Sequence, residues 1–124
     1  MKEVVVVFLG GGVGSVFRYW LSGGIYRFLD STFPYGVLIV NVVGCLLIGF
    51  LMAVFEDRFV VQPLLRVFLT IGVLGGFTTF STFSFETISL FREGSVFLGL
   101  ENVFVSVTGC LFATWLGIVI GKLF

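Results

Sequence analysis

Histidine is absent from this 124-residue sequence, and cysteine occurs twice, at Cys45 and Cys110. Without imidazole and with so few thiols, neither a structural zinc site nor a histidine-based catalytic triad can be assembled. No other nucleophile and base can be paired, which argues against an enzyme. Charge is scarce too: 7 Lys and Arg against 7 Asp and Glu, together 11% of the chain, for a net charge of zero. Binding to nucleic acid needs a basic face that neutralises phosphates, so that partner class is excluded. What fills the sequence instead is apolar. It is 58% hydrophobic with 17 Phe and a mean hydropathy of +1.19, against roughly 45–50% hydrophobic in a soluble domain. A 13.6 kDa chain has too much surface for its volume to hide so many apolar side chains, so a lipid bilayer must cover the excess. Cys45 and Cys110 both fall inside apolar runs and read as small buried or lipid-facing side chains rather than as a disulfide.

A bilayer core of about 30 Å needs about 20 apolar residues at 1.5 Å each. Four segments qualify. The first runs from about Val4 to Tyr26, with Arg18 its only charge, near the far end where a long side chain can snorkel or find a partner. A signal peptide is a poor reading of its start. The stretch from Val4 to Leu9 continues through Gly10, Gly11, Gly12 and Gly14 and stays apolar past Phe17, with no A-x-A-like cleavage site. The second segment, Tyr35 to Phe55, contains one strongly polar residue, Asn41; the third spans about Leu64 to Phe91, and the fourth about Gly99 to Phe124. The connections carry turn and loop residues: Asp30 to Pro34, then Glu56-Asp57-Arg58 with Pro63, then Arg92 to Ser95. The expectation is an all-α, multi-pass integral membrane protein in a single domain over residues 1–124, with its function inside the membrane.

Four spans put both termini on one face. Lys2, Arg58, Arg66 and Lys122 fall on that face, and Arg18, Arg27 and Arg92 on the other. So even a split of Lys and Arg barely orients the chain. Either one loop arginine dominates a small bias, or the subunit inserts both ways and assembles as an antiparallel, dual-topology homodimer. Glycines four apart, Gly10 and Gly14, Gly72 and Gly76, Gly117 and Gly121, let helix backbones approach where lipid offers no hydrophobic drive.

The centre of the third segment reads Gly75-Gly76-Phe77-Thr78-Thr79-Phe80-Ser81-Thr82-Phe83-Ser84. Gly, Ser and Thr favour local breaks, so a break near Gly75 to Thr79 is expected. Non-helical backbone at membrane depth survives only beside protein or a water-filled cavity, where freed carbonyls can coordinate a cation. The competing reading is a kinked helix whose Ser and Thr side chains bond their own backbone. Phe80 and Phe83 stand on one face. Aromatic stripes are usually core, but ring edges carry positive charge and can host a small anion without a fixed cation to trap it. Isolated polar residues complete the inventory: Asn41, Glu86, and the row Asn102, Ser106, Cys110 and Thr114, which forms one stripe on the fourth helix. Each can line a polar track or cement a helix interface. An ionisable group such as Glu86 inside a membrane is a functional candidate by default.

The run from Gly75 to Ser84 closely resembles the signature of the Fluc, or CrcB, family of fluoride channels. Gly11-Gly12-Val13-Gly14 followed by Arg18-Tyr19, and the stretch from Tyr35-Gly36 to Val40-Asn41, resemble the same family's first- and second-helix motifs in order and spacing. The likeness covers essentially the whole chain. It implies an antiparallel dual-topology homodimer in the cell (plasma or inner) membrane, with two fluoride pores and a central structural sodium ion, exporting fluoride passively to relieve its toxicity. By position it implies Asn41, Phe80 and Phe83 as pore residues, Ser81, Thr82 and Glu86 as a polar track, Ser106 as a fourth-helix polar position, and the Gly75 and Thr78 carbonyls as sodium ligands. The chain departs from the pattern at Asn102, where some members have Tyr, and at Cys110, where Ser is common. The alternative is a small multidrug-type, proton-coupled antiporter, which also has four helices. It requires a membrane-embedded carboxylate, absent between Val4 and Tyr26, which leaves Glu86 as the candidate.

Overall fold

The computed structural model describes residues 1–57 and 61–124; Arg58, one of the cations counted above, lies outside the described residues. The elements are α1 (Lys2–Ile25), α2 (Tyr35–Asp57), α3 (Pro63–Val67), a π-helical stretch (Phe68–Val73), α4 (Leu74–Phe77), α5 (Phe80–Arg92) and α6 (Val96–Leu123). They make four stretches long and apolar enough to cross a membrane: Lys2–Ile25, Tyr35–Glu56, Pro63–Arg92 and Val96–Leu123.

The boundaries follow local chemistry. Pro63 opens α3 at a position whose N–H has no helical partner in any case. The last span begins three residues earlier than Gly99, because Gly94 at φ 84° reverses the chain at once. Gly99 then sits inside α6, where a Cβ would lie 2.6 Å from Phe91 Cε1, so its missing side chain lets α6 pass close to α5.

The paired glycines stand where backbones meet. A Cβ on Gly10 would lie 2.8 Å from the Phe68 carbonyl oxygen and 3.0 Å from Gly72 Cα, so α1 packs backbone to backbone against the π-helical stretch. Gly117 meets the backbone of Leu46 and Phe50, and Gly121 meets Phe50 and Ala53, which binds α6 to α2. Around these seams large apolar side chains such as Phe8, Phe97 and Phe104 point outward, as lipid-facing residues do. The π-helical turn was not legible in the sequence; Thr70 within it donates its hydroxyl to the Arg66 carbonyl at 2.8 Å.

Between α4 and α5 the backbone leaves the helix. Thr78 (φ −83°, ψ 155°) and Thr79 (φ −148°, ψ 117°) are both extended, and helical geometry resumes at Phe80.

Candidate functional site

The extended pair is held from across the helix interface by one amide. Asn41 on α2 donates from Nδ2 to the Thr79 carbonyl at 3.0 Å and accepts the Thr79 N–H on Oδ1 at 2.9 Å. It matches the backbone as a neighbouring strand would, satisfying a residue that is only 8% exposed. Thr79 then caps α5: its Oγ1 accepts the Thr82 N–H at 3.3 Å, donates to Thr82 Oγ1 at 3.1 Å and lies 3.3 Å from Ser81 Oγ.

These bonds have a consequence for two carbonyls. In an unbroken helix the Thr79 N–H would bond the Gly75 oxygen, and the Thr82 N–H the Thr78 oxygen. Both donors are committed elsewhere, to Asn41 Oδ1 and to Thr79 Oγ1. The Gly75 and Thr78 carbonyls are thereby released from the helical ladder. The Leu74 carbonyl, by contrast, takes both the N–H and the hydroxyl of Thr78.

A cavity of about 420 Å³ opens on this region, lined among others by Asn41, Gly75, Thr78, Phe80, Phe83 and Ser106. The structure thus gathers six of the residues singled out from the sequence, and Cys110 joins them with Cys45. The Phe80 and Phe83 rings lie 5.3 Å apart at 48°. Phe83 is buried, whereas Phe80 is 78% exposed. Among the described residues the cavity lining contains no Lys, Arg, Asp or Glu.

The remaining candidates lie elsewhere. Thr82 faces a second cavity of about 360 Å³, whose other walls are Ser15, Arg18, Tyr19 and Ser22 of α1, Val37 and Val40 of α2, and Thr79. Ser81 and Glu86 line neither cavity. One Glu86 carboxylate oxygen is buried with no hydrogen-bond partner among the described residues. The second cavity is the feature that reading the sequence missed. Ser15, Arg18, Tyr19 and Ser22 are spaced i, i+3, i+4, i+7 and share one face of α1, a signal that was available but masked by the apolar residues between them.

The polar row on α6 divides. Asn102 is 2% exposed and donates from Nδ2 to Thr87 Oγ1 on α5 at 2.9 Å, while Thr87 donates to the Phe83 carbonyl at 2.8 Å. Ser106 donates to Asn102 Oδ1 at 3.2 Å and lines the larger cavity. Thr114 lies against α2 at Gly49. One row therefore serves both readings proposed for it, cement at Asn102 and cavity wall at Ser106 and Cys110, while at Thr114 it is the backbone that meets α2.

Residues 5–118 match the protein family described as CrcB-like protein, Camphor Resistance (CrcB). The chain is 45% identical over 122 residues to a protein of Citrifermentans bemidjiense named Fluoride-specific ion channel FluC, covering 98% of each. Proteins of the same name from Geotalea daltonii and Magnetococcus marinus are similar as well. The first is 47% identical over 118 residues, 95% of each chain, and the second 44% over 121 residues, 98% of each.

Proposed function

The chain belongs to the CrcB family, and on that premise we propose that it is the subunit of a fluoride-selective channel through which fluoride leaves the cell passively, relieving its toxicity. The observation that carries this reading is the cavity at the helix interruption, walled by Phe80, Phe83, Asn41 and Ser106 and, among the described residues, free of fixed charge. A small anion leaving water needs hydrogen-bond donors and positive partial charge, while a lysine or arginine in the wall would bind it too tightly to release it. Phenyl edges, the second N–H of Asn41 and nearby hydroxyls are weaker substitutes that permit passage. Further along α5, Thr82 carries a hydroxyl into the wall of the second cavity. The Arg18 cavity, with hydroxyls around a single cation, offers an approach that gathers anions.

In this reading the working unit is an antiparallel, dual-topology homodimer with two pores in the cell membrane. The even split of cations supports insertion both ways, and the exposed Phe80 ring at the mouth of the cavity supports a second subunit closing over it. The released Gly75 and Thr78 carbonyls suit a sodium ion, a hard cation that takes oxygen ligands. One chain offers two such oxygens; two chains related by an axis would offer four. Bound there, sodium would supply positive charge that ties the two interruptions together.

The antiporter alternative finds no support. Glu86, the carboxylate it requires, lines neither cavity, and the relatives at about 45% identity are named as channels. The test is efflux from fluoride-loaded liposomes read with a fluoride electrode. Efflux down the gradient with no pH difference is expected. No efflux would refute the channel, and dependence on a proton gradient would favour the antiporter. Labelling of a C-terminal tag in intact cells should reach both membrane faces; a single orientation would refute dual topology.

A further inference from the structure

Asn102 has no part in the pathway just described, yet it is almost completely buried and hydrogen-bonded at both ends of its amide. The direction of its hydrogen bonds can be deduced. Thr87 Oγ1 lies 2.8 Å from the Phe83 carbonyl oxygen. A carbonyl only accepts, so the single Thr87 proton is spent there. The Thr87 oxygen must then accept from Asn102 at 2.9 Å, and the group facing it is the amide NH2. That turns Asn102 Oδ1 toward Ser106 Oγ at 3.2 Å, and the one Ser106 proton goes to it. The relay from Ser106 through Asn102 and Thr87 to Phe83 runs one way, and the Phe83 carbonyl sets its sense. Of its members Ser106 and Phe83 line the cavity, and Asn102 does not. Ser106 therefore meets the cavity with its lone pairs, its proton turned away. An ion in the cavity finds a donor in Ser106 only by taking that proton from Asn102.

We propose that Asn102 is a positioning residue that holds the Ser106 proton in reserve, so that Ser106 donates only to an acceptor stronger than an amide carbonyl. Fluoride, the smallest halide with the most concentrated charge, is such an acceptor; chloride and bromide are weaker ones. The arrangement favours fluoride and also shortens its stay, because the amide oxygen reclaims the proton as the ion moves on. The proposal rests on the channel reading and on the ion passing Ser106.

Two variants test it in liposomes, with efflux measured across a range of fluoride concentrations and with chloride added as competitor. Asn102→Leu keeps the approximate shape and removes the competing acceptor. Thr87→Val removes the oxygen that orients the amide. In Asn102→Leu the half-saturating fluoride concentration should fall roughly 2–10-fold, the worth of one net hydrogen bond, and chloride should inhibit more strongly. Thr87→Val should shift both readings the same way. In a Ser106→Ala background Asn102→Leu should change neither, because the proton it controls is gone, whereas a purely structural role would persist. Unchanged half-saturation and chloride inhibition in a folded Asn102→Leu dimer would overturn the proposal. So would an equal shift in the Ser106→Ala background. Should Asn102→Leu fail to fold, an unchanged Thr87→Val protein overturns it alone. Wild-type protein that passes no fluoride refutes the channel reading instead.

Discussion

Asn41 joins the fold to the proposed ion site, and its replacement separates two kinds of damage. Asn41→Leu has nearly the same shape but removes both bonds to Thr79. The Thr79 N–H, in a residue 8% exposed, is left without a partner, which costs about 1–3 kcal/mol. The Thr79 carbonyl loses the amide that donates to it, and a buried acceptor left without a donor costs a similar amount, about 1–3 kcal/mol. The expected destabilisation is about 2–6 kcal/mol, a large part of the roughly 5–15 kcal/mol that holds a domain folded. Asn41→Asp keeps an acceptor for the N–H, but its carboxylate sets a second oxygen against the Thr79 carbonyl and a charge at membrane depth, so it should cost at least as much. Efflux should suffer in both: in Asp because carboxylate lone pairs face an anion, in Leu because the wall loses its amide donor. Reversible unfolding in mixed micelles, followed by the fluorescence of Trp20 and Trp115, gives the stabilities, and the fluoride electrode gives the flux. An Asn41→Leu protein as stable as wild type would refute the clamp. An Asn41→Asp protein with normal efflux would remove Asn41 from the pore.

Phe80→Ile and Phe83→Ile keep bulk and apolarity while removing the ring quadrupole; each should remain dimeric and lose most of its fluoride efflux, and undiminished efflux would end the pore assignment. Arg18→Gln should slow efflux several-fold at low ionic strength and less at high salt, where the field of the guanidinium is screened, with Arg18→Lys close to wild type; equal rates for all three proteins at every salt concentration would exclude an attracting role. Replacing sodium by a bulky organic cation should loosen the dimer on size-exclusion chromatography and reduce efflux, whereas Thr78→Ser should be mild because the proposed ligand is a carbonyl; indifference of both readouts to sodium would refute the cation site.

The fold was largely legible because the requirement for about 20 apolar residues per crossing leaves few ways to partition 124 residues. The site was legible in its composition and less so in its arrangement. Asn41 and the Phe80–Phe83 pair stood out as exceptions to their surroundings, polar in an apolar helix or aromatic beside hydroxyls. What could not be read was which partner each polar group would take. Asn41 looked like a pore amide, yet its bonds go to the Thr79 backbone 38 positions away, a pairing fixed by how α2 meets the third span. Thr87 was not singled out at all, because a threonine in a helix most often bonds its own carbonyl, as this one does with Phe83. Its second role as acceptor for Asn102 appears only once α6 is laid beside α5. Glu86 was placed in the polar track by position, and the structure leaves it outside both cavities.

The interruption itself follows from hydrogen-bond competition. Breaking a helix within a membrane is tolerated only when every released backbone group finds a substitute partner. Here side chains take up two of the released donors: Asn41 Oδ1 and Thr79 Oγ1 capture the N–H groups of Thr79 and Thr82. The interruption therefore frees carbonyl oxygens on its α4 side, those of Gly75 and Thr78 among them, and N–H groups in the first turn of α5. The cluster of freed carbonyls suits a cation and repels an anion. An anion path beside it needs positive character from elsewhere, and the phenyl edges of Phe80 and Phe83, one turn further along, are placed to provide it. If a sodium ion neutralises the carbonyls, it also removes the repulsion an anion would meet there. Cation site and anion path are then two results of one exchange of hydrogen bonds. A variant that returns the Thr79 N–H to Gly75 should damage both together.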